Sequence, residues 1–229
     1  MGQLDTHIRV KLVSSSVAKP GKIVFTSSSV FTVPKGINEV QVFVVGGGGS
    51  SGYGRFSSSF AYGGGGGGGG YTKTAKISTS EYKSLEVVIG AGGPFTSQEN
   101  SGGATSVESI SAPGGIHASA STGGSGGSGG GAYSDVGILY WYPGGSGGSD
   151  GGNGGRNGMF STPGNGQGTT TRAFGDSDGT LYSYGGYGGS QTGSPSNASS
   201  NTGNGAPGGI WTGNGYMGGS GIAIIRWGY

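Results

Sequence analysis

The chain contains no cysteine. Disulfide frameworks and thiolate metal sites are therefore excluded, and stability is independent of redox state. Charge is also scarce: 10% of residues are charged and the net charge is +2. Lys and Arg concentrate toward the N-terminal part and form no basic stripe, so nucleic acid is not an expected partner. No apolar run approaches the roughly 20 residues of a membrane span, so no membrane insertion is expected. Residues 1–10 are polar and lack the apolar core of a signal peptide. Met1-Gly2 with Thr6 fits the myristoylation pattern, but that pattern is too short to carry weight. Proline is rare, with 8 residues. Collagen needs abundant Pro and Gly at every third position, and neither holds here.

What the chain has is glycine, 61 residues of 229. The average share is about 7%. Fixing a residue's backbone costs about 1–2 kcal/mol, and Gly loses the most freedom. Such a chain is either disordered or held by dense backbone hydrogen bonding. Disordered tracts carry high net charge and few aromatics. This sequence has 12 Tyr, 8 Phe and 3 Trp, which favours order.

Two kinds of segment alternate. Strand signals lie at 23–26, 30–33, 40–45, 71–78, 85–89, 105–110 and 222–227, where β-branched and aromatic residues alternate or cluster. Pro34-Lys35-Gly36 reads as a turn. Residues 80–85 are the best short helical candidate. The second kind is Gly-rich: 46–54, 63–70, 123–131, 144–155, 185–189, 203–209 and 213–221. Gly-Gly-Ser triplets repeat at 123–128 and 144–149. A period of three matches a polyproline-II-type helix, with 3 residues per turn and a rise of about 3.1 Å. That helix makes no internal hydrogen bonds, so its N–H and C=O groups need neighbours. Gly lets neighbours approach. In Gly-Gly-X two ridges are bare, and X is expected to point outward. The all-glycine run 63–70 is expected at the centre, with the Gly-Gly-Ser runs peripheral and each run a single rod.

The expected fold is therefore all-β plus a polyglycine-II helix bundle: a small antiparallel β-sandwich capping packed threefold Gly-rich helices, with little or no α-helix. The expected division is 1–21 as an N-terminal segment, 22–122 with 220–229 as a β-domain holding central glycine helices, and 123–219 as a glycine-rich region with aromatic loops.

Motifs for chemistry are weak. Gly213-Asn214-Gly215-Tyr216-Met217-Gly218 fits the dinucleotide fingerprint formally, but a Gly-rich run precedes it and a strand signal follows. Asp176-Ser177-Asp178-Gly179 begins like a calcium loop and lacks the later ligands. His7 and His117 lie far apart without nearby ligand partners, so no metal and no cofactor is expected. Asp135, Asp150, Asp176 and Asp178 look like turn residues, and no enzyme is expected.

The aromatic segments between the glycine runs are the informative ones. Tyr and Trp give large contact area at low entropy cost, and binding residues concentrate on loops held by rigid scaffolds. The receptor-binding candidates are Tyr133, Ile138, Leu139, Tyr140, Trp141, Tyr142, Phe160, Phe174, Leu181 and Tyr182. The competing reading is that such aromatics close the ends of the bundle. Tyr53, Phe56, Phe60, Tyr62, Tyr184, Tyr187, Trp211 and Tyr216 belong to the same set of segments.

Five pieces carry a resemblance: Val30-Phe31-Thr32-Val33-Pro34-Lys35-Gly36 followed by 40–49; 63–71; Val88-Ile89-Gly90-Ala91-Gly92-Gly93; Gly102-Gly103-Ala104-Thr105-Ser106; and 219–227. Together they resemble the glycine-rich domains of bacteriophage and prophage tail fibres, including the receptor-binding adhesins at fibre tips. The resemblance implies recognition of a bacterial cell-surface receptor, glycan or protein, by loops at the end of a polyglycine sandwich. It implies attachment to phage tail fibre or baseplate proteins through the N-terminal part, here with Ile8, Val10 and Leu12 alternating. A homotrimer is one arrangement it allows. A purely structural virion protein is the alternative.

Overall fold

A computed structural model describes residues 18–56, 61–96, 100–133, 142–148, 151–157, 160–162, 164, 171–189, 194–210 and 215–229. The strands are β1 (Gly21–Phe25), β2 (Ser29–Thr32), β3 (Glu39–Val45), β4 (Arg55–Phe56), β5 (Ala61–Tyr62), β6 (Thr72–Ser78), β7 (Ser84–Val88), β8 (Thr105–Val107), β9 (Ile110–Ala112), β10 (Gly155–Asn157), β11 (Phe160–Thr162) and β12 (Ile222–Trp227). The one helical turn among the described residues is a 3-10 turn at Ala173–Gly175.

Two antiparallel four-stranded sheets form the sandwich, ordered β1-β12-β3-β6 and β2-β7-β8-β9. The first and last strands pair in the first sheet, where Ile23 pairs with Ile225 and Ile225 with Val42. The core between the sheets takes one face of each strand: Val40, Val42, Val44 and Ile225 against Leu85, Val87, Val107 and Ala112. Alternation puts the other residues of β3 and β12 on the far side of the first sheet. There Phe43, Val45, Ile222 and Ile224 form a second buried cluster. That face cannot be left in water, and Ala173, Phe174 and Tyr182 cover it.

Two local expectations give way. Residues 80–85 are not helical: Tyr82 sits at φ 62°, in a turn from which Tyr82 N–H donates to Val33 O and Lys83 N–H to Ser80 O. The strand expected over 105–110 is two, because Glu108 at φ 51° turns the chain between β8 and β9. The Pro34-Lys35-Gly36 turn forms as expected, with Gly36 at φ 78°.

The strands run directly into glycine segments. β3 continues into 46–52, β9 into 113–120, and 63–70 leads into β6. Within 63–71 the partners recur with a period of three. The N–H groups of Gly64, Gly67 and Gly70 donate to Gly209, Ala206 and Gly203. Those of Gly65, Gly68 and Tyr71 donate to Ala120, Ile116 and Pro113, and those of Gly66 and Gly69 to Gly131 and Ser128. The carbonyls follow the same rule: Gly64 and Gly67 accept from Gly189 and Gly186, Gly65 and Gly68 from Gly52 and Gly49, and Gly66 and Gly69 from Gly124 and Gly127. Run 63–70 therefore lies at the centre of six segments, three accepting its protons and three donating to it. Period three is what an extended helix of three residues per turn imposes.

Run 46–52 is a second centre. Gly46, Gly49 and Gly52 donate to Tyr71, Gly68 and Gly65; Gly47 and Ser50 to Gly103 and Asn100; Gly48 and Ser51 to Gly219 and Tyr216. Close approach is the reason for glycine here. A Cβ on Gly66 would lie 2.2 Å from Gly186 O, and one on Gly68 2.1 Å from Ser125 O. Left-handed conformation is not the reason, since within these runs only Gly203 has a positive φ among the described residues.

The Gly-Gly-Ser runs are not single rods. Gly124 and Gly127 donate to Gly66 and Gly69, and then Ser128 and Gly131 accept from Gly69 and Gly66. The chain has reversed at 127–128. The next run does the same, for Gly151 N–H donates back to Gly148 O and Gly154 N–H to Gly145 O. The outward serine ridge is kept in part: Ser146 and Asn153 are exposed, whereas Ser128 is fully buried with no partner for its Oγ. These bonds also tie 124–131, 186–189 and 203–209 to 63–70.

Candidate binding surface

The runs ending at 52, 93, 120, 131, 189 and 209 all lead away from the sandwich. Among the expected receptor residues, Ile138, Leu139, Tyr140 and Trp141 lie outside the described residues. So do the attachment candidates Ile8, Val10 and Leu12. Tyr142 is half-buried beside Pro143, whose carbonyl accepts from Gly123. Phe160 lies on β11 and pairs with Asn157 on β10.

Three candidates are packing residues. Tyr133 is 1% exposed, its N–H bonded to Ser121 O, and its ring lies where a Cβ of Gly63 would meet it at 2.7 Å. It closes the start of the central run and offers no free face. Phe174 and Tyr182 sit with ring centroids 6.0 Å and 5.6 Å from Phe43, so they cover the sheet. Leu181 forms an isolated bridge with Arg172 beside them. Burial pushes the Tyr182 hydroxyl above its ordinary pKa, and a hydrogen bond to Thr180 partly opposes that. The hollow of about 310 Å³ on this face contains Arg226, which is already committed. It bonds Asp176 at 2.6 Å and Gln41 at 2.8 Å, and its guanidinium lies 4.0 Å from the Phe174 ring centroid.

A groove of about 440 Å³ opens elsewhere, along run 184–187. Tyr184 and Tyr187 are 41% and 62% exposed and stand on one wall. Their placement follows from sequence. In Tyr184-Gly185-Gly186-Tyr187-Gly188-Gly189 the tyrosines are three apart, the same period with which bonding partners recur along the central run. Gly186 and Gly189 donate to Gly67 and Gly64 of that run. Segments 196–199 and 204–207 complete the lining, the latter bonded directly alongside 184–187. Asn204 Oδ1 accepts from Tyr184 N–H at 2.9 Å, and Asn197 Oδ1 accepts from Met217 N–H at 3.0 Å. Both tyrosines were visible as members of the aromatic segments. Their period of three was the signal that separates them from the buried set.

Among the described residues, no three His, Asp or Glu side chains come together as metal ligands would. No helix there is long and apolar enough to cross a membrane. No curated protein matches the chain in sequence. Residues 24–228 match the model of the family described as a glycine-rich domain, so the chain belongs to the glycine-rich domain family.

Proposed function

We propose that the protein is a phage tail-fibre or tail-tip adhesin that binds a bacterial surface receptor through loops at the end of a rigid glycine scaffold. The observation that carries this reading is the arrangement of the runs. They rise from a sandwich in which both ends of the described chain are anchored, and several of them lead away from it side by side. Backbone groups of the two central runs are bonded outward on all sides, which is how a scaffold without a large apolar core can be stiff. In this reading the runs are packed polyglycine-II helices, supported by the threefold recurrence of partners. The virion fibre or baseplate would hold the N-terminal part.

Purified protein labelled for detection and incubated with bacterial cells and cell envelopes tests the proposal. Saturable binding to some host envelope is the expected result. Replacing 134–141 by a Gly/Ser segment of equal length, with Tyr133 kept, should reduce that binding. The second reading is a structural virion fibre or cap protein without receptor binding. It is favoured by the burial of Tyr133 and by the packing of the partly buried Phe174 and Tyr182 on the first sheet. Absence of binding to every envelope tried would select it.

A further inference from the structure

We propose that the groove lined by run 184–187 and segments 196–199 and 204–207 is a subsite for a neutral, linear saccharide. This deepens the adhesin reading by naming a ligand class and a place, and it rests on that reading for its biological setting. The first argument is the platform. Tyr184 and Tyr187 expose their side chains three residues apart, about 9 Å at 3.1 Å per residue. Two aromatic faces at that spacing suit alternate rings of an extended sugar chain, whose apolar C–H faces stack on tyrosine.

The second argument is the polar lining. The lining residues Tyr184, Tyr187, Ser196, Asn197, Ser199 and Asn204 carry hydroxyl and amide groups, and among the described residues no charged side chain lines the groove. Each Asn has its Oδ1 held by a backbone N–H, so the amide donor left to it is Nδ2. Hydroxyl-rich neutral ligands match this set, and charged ones find no counter-charge. The third argument is rigidity. The Tyr184 and Tyr187 carbonyls accept from Gly205 and Gly208, and Gly186 donates to Gly67. In segment 196–199, Ala198 N–H donates to Met217 O. The lining is thus preformed, and binding orders little backbone.

The test uses the full chain on an array of neutral linear oligosaccharides of glucose, galactose, mannose and N-acetylglucosamine, together with charged uronic-acid and sialylated oligomers. Binding of at least one neutral oligomer is expected, with none of the charged ones preferred. Tyr187→Ala should weaken it by roughly tenfold or more, as loss of an aromatic anchor does, and Tyr187→Trp should retain it. Tyr82→Ala, which removes an equally exposed tyrosine outside the groove, should change nothing. No neutral oligomer bound, or binding unaffected by Tyr187→Ala, overturns the proposal. Envelope binding measured on the same variants separates the two readings. Tyr187→Ala protein that binds envelopes like the wild type sinks the groove and leaves the adhesin standing. Wild-type protein that binds no envelope sinks the adhesin, whatever the array shows.

Discussion

Replacing Gly67 with alanine would place a methyl group 2.2 Å from the carbonyl oxygen of Gly49 and 2.7 Å from that of Ser50. Real Cβ atoms essentially never come within 3.0 Å of another heavy atom, so the two central runs must part by the better part of an ångström. Gly67 N–H is bonded to Ala206 O at 2.8 Å, Ala206 N–H to Gly49 O at 3.0 Å, and Gly49 N–H to Gly68 O at 2.9 Å. The three runs close a ring of bonds, and opening one side breaks at least two of them. Each buried group left unmade costs about 1–3 kcal/mol. Against this, alanine restricts the unfolded chain and gives back about 0.4–1 kcal/mol. The expected loss is about 2–5 kcal/mol, a large share of the roughly 5–15 kcal/mol that holds a native domain together. At about 2–4 °C per kcal/mol for a chain of this size, the melting temperature should fall by roughly 10 °C. Thermal and urea unfolding measure it. Gly103→Ala is the control, because its nearest neighbour would be Ala91 N at 3.1 Å, and its loss should stay below about 1 kcal/mol. Equal stability of the two variants would refute the claim that these glycines are there for close approach.

Four further outcomes follow from the same geometry. Amide protons of 64–70 should exchange as slowly as those of β3, since all are bonded and buried; fast exchange throughout that run, followed by NMR or mass spectrometry, would mean no bundle. The Tyr182 hydroxyl ionises less readily in the fold than in the unfolded chain. Its contribution to stability is therefore intact below about pH 10 and is lost as pH rises further; Tyr182→Phe should flatten the alkaline fall in melting temperature, and an unchanged fall counts against the assignment. Arg226→Ala should cost about 1–3 kcal/mol in urea unfolding by losing its bonds to Gln41 and Asp176 and its packing on Phe174, whereas Asp176→Asn, at a half-exposed partner, should cost below about 1 kcal/mol; the reverse order would contradict this reading. Tyr133→Ala should destabilise by about 3–5 kcal/mol, as expected for emptying a buried aromatic site, and a neutral effect on melting would return Tyr133 to the list of surface residues.

The principal strands were legible because their signals are local. Val40, Val42 and Val44 alternate, and 222–227 is a clean apolar run. The central place of 63–70 was legible too, because a run with no side chains is the segment that can be surrounded on every side. The aromatics were harder to sort. Tyr133, Phe174 and Tyr182 look like surface binders in a chain so poor in apolar residues, yet the second face of the first sheet and the mouth of the central run needed covers. Tyr184 and Tyr187 carried the opposite message in their spacing.

By itself the sequence determined that this protein is held by its backbone. Glycine content, absent cysteine and period three leave outward hydrogen bonding as the source of order, because nothing else is abundant enough. Only the tertiary structure decided which run pairs with which, where the Gly-Gly-Ser runs fold back, and which aromatics face water. Glycine runs are nearly interchangeable in sequence, and a bare N–H does not name its partner. The partner is chosen by the strands and turns that set where each run starts and in which direction it travels.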